Sequence, residues 1–350
     1  MAIKEYKVMT PDLRKQFLEK GWVKIEGAIS LENIKKFSDD VWIRLGYDPQ
    51  DKSTWEKEKR VAPSHQGEIL GGEDRIDPTL FESFGDSLIC NLGSSEWENK
   101  ESIDPRLLGN WHIDGDWFTH YLDSGEQALT VIVLFNDIIP RAGGTFLAPD
   151  EQALTVIVLF NDIIPRAGGT FLAPDGLKNI VSWLYEHPEG ADSWPTDETG
   201  ARTVCDIHKC QEFVECTGKA GDMIIFHPFM PHSASKNYLR IPRFITNPPV
   251  TLKEPLCFTR QNPEDYSLTE LVVLRALEEI GINKSVMKDW KIAGKRRRFT
   301  PRTRAGKDAM IIAEVERMKA HERRTGGAYK VDSMHLNGPV PYQTVIPTEG

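Results

Sequence analysis

The feature that most constrains the fold is a succession of short apolar runs between residues 87 and 250. The runs begin with SLICNLG at 87–93 and end with ITNPPV at 245–250, and Gly, Pro, Asn and Asp separate them. Short apolar runs divided by turn residues are typical of strands in a β-sandwich or a barrel. Only GLKNIVSWLYEH, at 176–187, interrupts them with a helical period. We therefore predict a mainly β core over about residues 87–250.

Helices are predicted on the N-terminal side of this core. Thr10 and Pro11 form an N-cap and first-turn proline, and Gly21 ends the helix that they open. WVKIEGAI then alternates like a strand, and Ser30 caps a second helix. Residues 48–80, rich in Pro, Gly and charge, are predicted to form a long loop that lines a site.

The C-terminal part, residues 251–350, is predicted to be a helical extension. Ser267 and Glu270 form a capping box, and Ile311, Val315 and Met318 mark one face of a later helix. No stretch has the composition of a linker. Residues 1–350 are therefore predicted to form a single domain, a β core with flanking N- and C-terminal helices.

The core contains a perfect tandem duplication. EQALTVIVLFNDIIPRAGGTFLAPD fills residues 126–150 and again 151–175. Solenoid arrays need three or more copies, usually with altered ends, so two identical copies do not indicate a repeat architecture. Identity without divergence favours a recent duplication or an error in the sequence over an adapted insertion.

Composition excludes some classes of partner. The formal charge of −9 argues against a nucleic-acid binder, which grips phosphates with surplus Lys and Arg. The basic run at 295–304 is predicted to be a solvated segment, with a nuclear address or an acidic partner as alternatives. No apolar run approaches a membrane span, and neither a signal peptide nor a peroxisomal Ser-Lys-Leu end is present. We expect a cytoplasmic protein with no membrane partner, and no pattern indicates an oligomeric state.

The five cysteines predict reduced thiols rather than a disulfide framework, because their number is odd and they are scattered. A zinc site is an alternative at Cys205, His208, Cys210 and Cys216. Their spacing matches no closed structural zinc site, and the segment is more simply explained by strands and a turn.

Candidate metal ligands lie in WHIDGDW. His112 and Asp114 are two residues apart, so on a strand their side chains project from one face and can converge on an ion. A polar strand end at the surface is the alternative. Downstream, His227 and His232 are five apart and face opposite sides of an extended strand, so only one of them can join a site inside the core.

A third ligand from this segment would complete the 2-His-1-carboxylate triad, which leaves three adjacent positions open on Fe(II). Arg243 lies on the next strand, where a guanidinium aimed inward could grip a dicarboxylate through paired hydrogen bonds. An exposed arginine on an edge strand is the alternative, and we expect Arg240 to be one.

These motifs, in this order, resemble the phytanoyl-CoA dioxygenase family over about residues 12–250. The resemblance is carried by GWVKIEGAI, WHIDGDW, ALTVIVLFNDIIPRAGGTFLAPDG and GDMIIFHPFMPHSAS followed by RIPRF. It implies a double-stranded β-helix, a jelly-roll or cupin-like barrel, that uses Fe(II), 2-oxoglutarate and O2. The expected activity is oxidation, usually hydroxylation, of a substrate C–H bond, with release of succinate and carbon dioxide.

The resemblance also assigns residues. It implies that His112, Asp114 and His232 are the catalytic iron ligands and that Arg243 holds the 2-oxoglutarate C5 carboxylate. Asn110 and the threonine of GGTF are further expected contacts of 2-oxoglutarate, and the duplication offers Thr145 and Thr170 equally. Related halogenases replace the carboxylate ligand with a small residue, so the aspartate of this sequence favours oxygenation.

The substrate is expected to be a small organic molecule. Aromatic residues beside the metal motif, Trp117, His120 and Tyr121 among them, could line its pocket or belong to the core. Two other functions stay open on the sequence alone. One is a non-catalytic binding barrel disabled by the extra segment, and the other is a cupin-like metalloenzyme that uses no 2-oxoglutarate.

Overall fold

The structure is a computed structural model of the chain. It describes residues 9–56, 89–115, 117–126, 129–130, 155–159, 161–192, 194–198, 200–246, 249–250, 252, 254–298, 308–333 and 335–338. Most of the predicted loop at 48–80 lies outside these residues, and its described beginning forms a 3-10 turn at Lys52–Glu56.

The described helices include those predicted from caps and periodicity, although the helix predicted after Ser30 is divided in two and a short helix at Lys284–Met287 was not predicted. The α-helices are α1 (Pro11–Lys20), α2 (Leu31–Ser38), α3 (Val41–Leu45), α4 (Leu177–Glu186), α5 (Leu268–Glu279), α6 (Lys284–Met287) and α7 (Asp308–Arg324). The described residues also form short 3-10 turns at Pro105–Leu107, Pro174–Gly176, Ile207–Lys209 and Pro263–Asp265.

The predicted caps account for several helix boundaries. The Thr10 side chain accepts a hydrogen bond from the amide of Leu13, and Gly21 ends α1 in the left-handed conformation. Ser267 and Glu270 form the predicted capping box of α5. Because each cap satisfies amides that the helix leaves unpaired, these boundaries follow from local sequence.

The strands form two main sheets with antiparallel pairing. They are β1 (Trp22–Ile25), β2 (Ile89–Asn91), β3 (Leu129–Thr130), β4 (Thr155–Leu159), β5 (Thr170–Leu172), β6 (Val214–Glu215), β7 (Met223–Phe226), β8 (His232–Ala234), β9 (Arg243–Thr246) and β10 (Pro249–Val250). The major sheet has the order β1-β7-β4-β9-β2 and the minor sheet the order β6-β5-β8, while β3 pairs with β10. The N-terminal β1 thus extends the sheet beyond the core predicted at 87–250.

Consecutive strands alternate between the sheets. From β4 the chain crosses to β5 and β6 in the minor sheet, returns to β7, crosses to β8 and returns to β9. The minor sheet continues beyond β8, because His112 forms an antiparallel bridge with His232. Among the described residues these sheets do not close into a barrel.

The face of the major sheet that looks toward β8 is called the inner face below. It is identified by Phe226, whose ring lies 5.2 Å from that of His232. The strand register shows which residues of the neighbouring strands share this face. Thr155 lies opposite Phe226, and Leu159, four residues along the same strand, lies opposite Ile245. The other face packs against helices, as the T-shaped contact of Phe244 with Trp42 near the start of α3 shows.

The second copy of the duplicated segment supplies β4 and β5. Of the first copy, the structure describes Glu126 and the two residues of β3. The choice between the copies that the sequence left open is therefore made in the described structure, where the second copy provides the strand between β7 and β9.

The C-terminal extension packs onto the rest of the chain rather than standing apart. Helix α5 packs against α1 and α4, and α7 packs against α3. A buried ion pair between Arg44 and Glu314, 2.7 Å from Nε to Oε1, joins α3 to α7. No helix in the described part of the chain has both the length and the apolar character that a bilayer crossing requires.

Candidate metal centre

His112, Asp114 and His232 come together at one end of the minor sheet. The amides of His112 and His232 each donate to the other residue's carbonyl at 2.9 Å, so the two histidines lie side by side. Asp114 follows two residues later, and its Oδ1 lies 3.6 Å from Nε2 of each imidazole. One ligand atom from each residue lies within 4.8 Å of the others. In the described part of the chain, this is the one group of three such side chains.

Both imidazoles are oriented by the backbone. Nδ1 of His112 lies 2.8 Å from the carbonyl oxygen of Asn110, and Nδ1 of His232 lies 3.0 Å from that of Met230. A carbonyl oxygen can only accept, so each Nδ1 carries a proton, and in the neutral ring Nε2 is the nitrogen that keeps a lone pair, on the side of Asp114. This is the tautomer that a metal ion requires, with the second-shell hydrogen bond already made.

Electrostatics keep the acidic member of the group ionised. Burial by itself would raise the pKa of Asp114, but the neighbouring imidazoles of His232 and His112, which attract its negative charge when they are protonated, hold that pKa well below its usual range. Burial lowers the pKa of His112, and the neighbouring His232 lowers it further. The cluster therefore offers a carboxylate and a neutral imidazole, the states that bind metal ions.

The loop after Asp114 is held by His120. Its Nε2 donates to the carbonyl of Gly115 at 2.6 Å, and the ring lies between those of Phe118 and Trp194. Burial lowers the pKa of His120 to about 4, so the ring is neutral at physiological pH. A Cβ at Gly115 would lie 2.5 Å from the Phe118 ring, and its φ of +103° also favours glycine. His120, predicted to line a substrate pocket, braces the metal-binding loop.

Arg243 lies on the inner face of the major sheet, two residues before Ile245 in β9. The side chain is buried, with 2% of the residue exposed. Its Nε and Nη1 have no hydrogen-bond partner in the described part of the chain. Burial lowers the pKa of Arg243 to about 10, which still leaves the guanidinium charged at neutral pH. A buried cation with two unpaired donors is suited to a carboxylate ligand.

The backbone on both sides of Arg243 is fixed by one side chain. Oδ1 of Asn161 accepts from the amide of Phe244 at 2.9 Å, and its Nδ2 donates to the carbonyl of Pro242. Asn161 is itself buried and belongs to the second copy of the duplication. It therefore positions the strand that carries the arginine.

Two of the three predicted polar contacts of 2-oxoglutarate can be located. Thr170 is buried in β5 opposite Ala234, two positions along from the pair formed by Leu172 and His232. Asn110 is exposed, with φ of +67°, and orients His112 through its carbonyl. Thr145 lies outside the described residues.

Asn110 also lines a cavity of about 500 Å³, whose other walls are Leu108, Gly109, Gly200, Ala234, Ser235 and Lys236.

The remaining predicted pocket residues contact the C-terminal extension. The Tyr121 ring is buried against Gly190 and Gly294, with the Arg296 guanidinium 5.4 Å from its centre. Arg298 lies 5.8 Å from the centre of the Trp117 ring. The structure brings Tyr121 into the packing beneath residues 294–296 rather than next to the metal ligands.

The described part of the basic run is paired within the molecule. Arg296 forms an ion pair with Asp123 at 2.7 Å, and Arg297 pairs with Asp192. These contacts tie the extension to the loop that follows the metal ligands. Arg296 and Arg297, in the described part of the run, are therefore paired with carboxylates of the same chain, although Arg297 stays largely exposed.

The second histidine of the distal segment, His227, belongs to the core. It is fully buried, and its Nε2 lies 3.3 Å from the carbonyl of Thr269 in α5. Burial lowers the pKa of His227 to about 3. Only one of the two histidines joins the site, as expected, but they do not lie along one strand, because β7 ends at Phe226 and β8 begins at His232.

The cysteine-rich segment does not assemble a zinc site from its four candidates. Sγ of Cys205 and Sγ of Cys210 are 3.7 Å apart and both residues are buried, whereas His208 is exposed. All five cysteines are free thiols, as predicted.

Arg240 differs from expectation, because it is buried and paired with Glu56 and Glu98 rather than exposed.

The structure adds one residue that the sequence did not indicate. Arg202 forms a parallel bridge with His112 on the side away from His232, and its amide donates to the carbonyl of Trp111 at 2.6 Å. It lies in a segment that follows α4 and shows no motif. Only the tertiary pairing brings it beside a metal ligand.

Comparison with known proteins does not assign a family. No family model matches the chain, and no curated protein matches it. A solved structure with similarity is that of GlcNAc Inducible Gene 2, GIG2 (DUF1479), from Candida albicans, at 10% identity and a TM-score of 0.35. The similarity covers 91% of this chain and 82% of that chain. The geometry of the site is therefore the basis for proposing a function.

Proposed function

We propose that the chain is an Fe(II)/2-oxoglutarate-dependent dioxygenase that hydroxylates a C–H bond of a small organic molecule, with release of succinate and carbon dioxide. One observation carries the proposal. A cluster of two histidines and one aspartate lies at the edge of the minor sheet, and a buried arginine with unpaired donors lies on the inner face of the sheet opposite. Packing among the described residues accounts neither for the cluster nor for the unpaired donors of the arginine.

The strand order supports a double-stranded β-helix as the fold. The major sheet contains β2-β9-β4-β7, and the minor sheet places His112 beside β8, then β5, then β6. Antiparallel strands that alternate between two facing sheets in this way are typical of a jelly roll. On this proposal, the segment at His112 and the first residue of β8 would meet at the mouth of the barrel.

The residues present suit iron as the metal. Two imidazole Nε2 atoms and one carboxylate oxygen form the facial set typical of non-haem Fe(II) oxygenases, and both imidazoles already have the required tautomer. When bound, the metal would supply the activation of dioxygen that no side chain can provide. The protein's part is to hold the ligands and to orient His112 and His232 through backbone carbonyls.

Arg243 suits the co-substrate. A buried guanidinium whose Nε and Nη1 are both unpaired can donate charge-assisted hydrogen bonds to a carboxylate. Burial strengthens that interaction, because little water competes for the donors. Thr170, buried on the neighbouring minor sheet, is a second candidate contact of 2-oxoglutarate.

The experiment measures succinate formation from 2-oxoglutarate with added Fe(II), and metal binding by calorimetry with Zn(II). We expect His112→Ala and His232→Ala to lose both metal binding and turnover. Arg243→Gln is expected to keep the metal and to weaken 2-oxoglutarate binding by at least about tenfold, the effect of losing a charge-assisted pair.

The matched control is His227→Gln. His227 belongs to the same segment as His232 but contacts α5, so this variant should bind Zn(II) with unchanged stoichiometry even if it is less stable. Metal binding without any 2-oxoglutarate binding would contradict the proposal and favour a cupin-like metalloenzyme. Failure to bind metal would favour a non-catalytic binding protein.

A further inference from the structure

Arg202 stands in a row of paired residues that includes two of the proposed metal ligands. His112 bridges to His232 on one side and to Arg202 on the other, and Arg202 bridges in turn to Thr196. Residues paired directly across neighbouring strands project from the same face, with Cβ atoms about 5 Å apart. The side chain of Arg202 therefore leaves the sheet on the same face as the imidazole of His112.

The Arg202 guanidinium has no carboxylate partner in the described part of the chain. It is half-buried, and neither an ion pair nor a side-chain hydrogen bond engages it there. Other arginines of similar burial are paired, such as Arg296 with Asp123 and Arg260 with Glu270.

The formal charges at the site show that Arg202 lacks a counter-ion. On the proposed function, the two positive charges of the metal ion and that of Arg243 balance the aspartate and the two carboxylates of 2-oxoglutarate. Arg202 then adds a positive charge that nothing in the described site neutralises. A partly buried cation without a counter-ion is costly, and an anionic group on a ligand would remove that cost.

We propose that Arg202 is a specificity-determining residue that binds an anionic oxygen group, a carboxylate or a phosphate, of the substrate. This inference rests on the proposed function and adds the substrate class to it. Arg243 lies on the other sheet, so the two arginines can hold two different anions. A neutral substrate of the same shape would leave Arg202 unpaired and would bind more weakly.

The test uses the full chain loaded with Zn(II) and saturated with 2-oxoglutarate, a state without turnover. Binding of benzoate, phenyl phosphate and the neutral benzamide is measured by ligand-observed NMR titration. We expect at least one of the two anions to bind more tightly than benzamide. Arg202→Gln should weaken its binding by at least about tenfold, while benzamide is unaffected. Arg202→Lys should retain part of the preference, and the stronger anion distinguishes carboxylate from phosphate.

Two measurements keep the outcomes separate. Arg275→Gln removes one positive charge from the surface of α5 and should leave every titration unchanged. The affinity for 2-oxoglutarate is measured in each variant. A loss of 2-oxoglutarate binding in Arg202→Gln would overturn the inference by assigning Arg202 to the co-substrate. Equal binding of anions and benzamide, or no anion binding at all, would also overturn it. Failure of the proposed function would instead show as no 2-oxoglutarate binding in the unmodified protein.

Discussion

The two copies of the duplicated segment have identical residues and different places in the structure. The second copy forms β4 between β7 and β9 and then β5 between β6 and β8. The described strand of the first copy, β3, is two residues long and pairs with β10. The described strand of the first copy thus lies in a two-residue pair, whereas the described strands of the second copy lie between neighbours on both sides. Intrinsic β-propensity cannot distinguish them, so strand partners and chain connections decide.

The chain connection to α4 favours the second copy as the source of β4 and β5. It leads directly through Pro174–Gly176 into α4, which packs against α5. Its Thr170, Phe171 and Leu172 pair with β8, the strand that carries His232. The site is therefore built with residues of the second copy, and substitutions at equivalent positions of the two copies test this difference.

The largest expected effect is at Leu159. This residue is fully buried on the inner face opposite Ile245, so Leu159→Ala should lower the free energy of unfolding by about 3 kcal/mol. The equivalent Leu134→Ala in the first copy should cost less than about 1 kcal/mol. Urea unfolding of both variants measures the difference. Equal losses would show that the copies share the central position.

A smaller effect is expected at Asn161, which holds the backbone on both sides of Arg243. Asn161→Ala removes two hydrogen bonds from buried backbone groups and should cost about 2 kcal/mol. It should also raise KM for 2-oxoglutarate, because Arg243 loses its position. Asn136→Ala is the matched control and should change neither quantity. If KM stayed constant in Asn161→Ala, its role in positioning Arg243 would be wrong.

Thr170 should show a milder effect. Thr170→Val keeps the shape of a buried side chain in β5 and removes its hydroxyl. We expect KM for 2-oxoglutarate to rise about fivefold, with little change in stability, as for the loss of one hydrogen bond. Thr145→Val should leave KM unchanged. The opposite pattern would assign the co-substrate contact to the first copy.

The smallest effect is expected from removing one copy. Deletion of either copy leaves the same polypeptide, in which one segment both follows Gly125 and precedes Gly176. Since β3 lies against β4, the remaining copy can enter β4 directly and lose only the two-residue pairing with β10. We expect soluble protein, stability within about 1 kcal/mol and retained turnover. An insoluble or inactive product would show that the duplication is functional.

Parts of the structure that depend on neighbouring residues could be predicted from the sequence. The caps at Thr10 and Ser267 were predicted because capping uses atoms within three or four residues. Only His232 of the two distal histidines joins the cluster, as expected, but the period of two is not the reason, because β7 ends at Phe226 and β8 begins at His232 in the other sheet. The side chains of His112 and Asp114 are also directed to one side, as expected, because their ligand atoms belong to one cluster.

Residues whose roles depend on distant partners could not be predicted. Arg240 was expected at the surface, yet it is buried because Glu56 and Glu98 come to it from elsewhere in the chain. His120 was placed in a substrate pocket, although it donates to the carbonyl of Gly115 and packs on Trp194. In both cases the partner, rather than the residue type, determines the role.

The sequence by itself determined the ends of helices, the alternation of strands and the spacing of the candidate ligands, because these depend on local backbone geometry and hydrogen bonding. Only the tertiary structure decided which of two identical segments forms β4 and β5, and only it placed Arg202 beside His112. Strand pairing joins residues that are far apart in the chain, and its energy depends on which neighbours are already in place. A segment written twice therefore has one sequence and two structural roles.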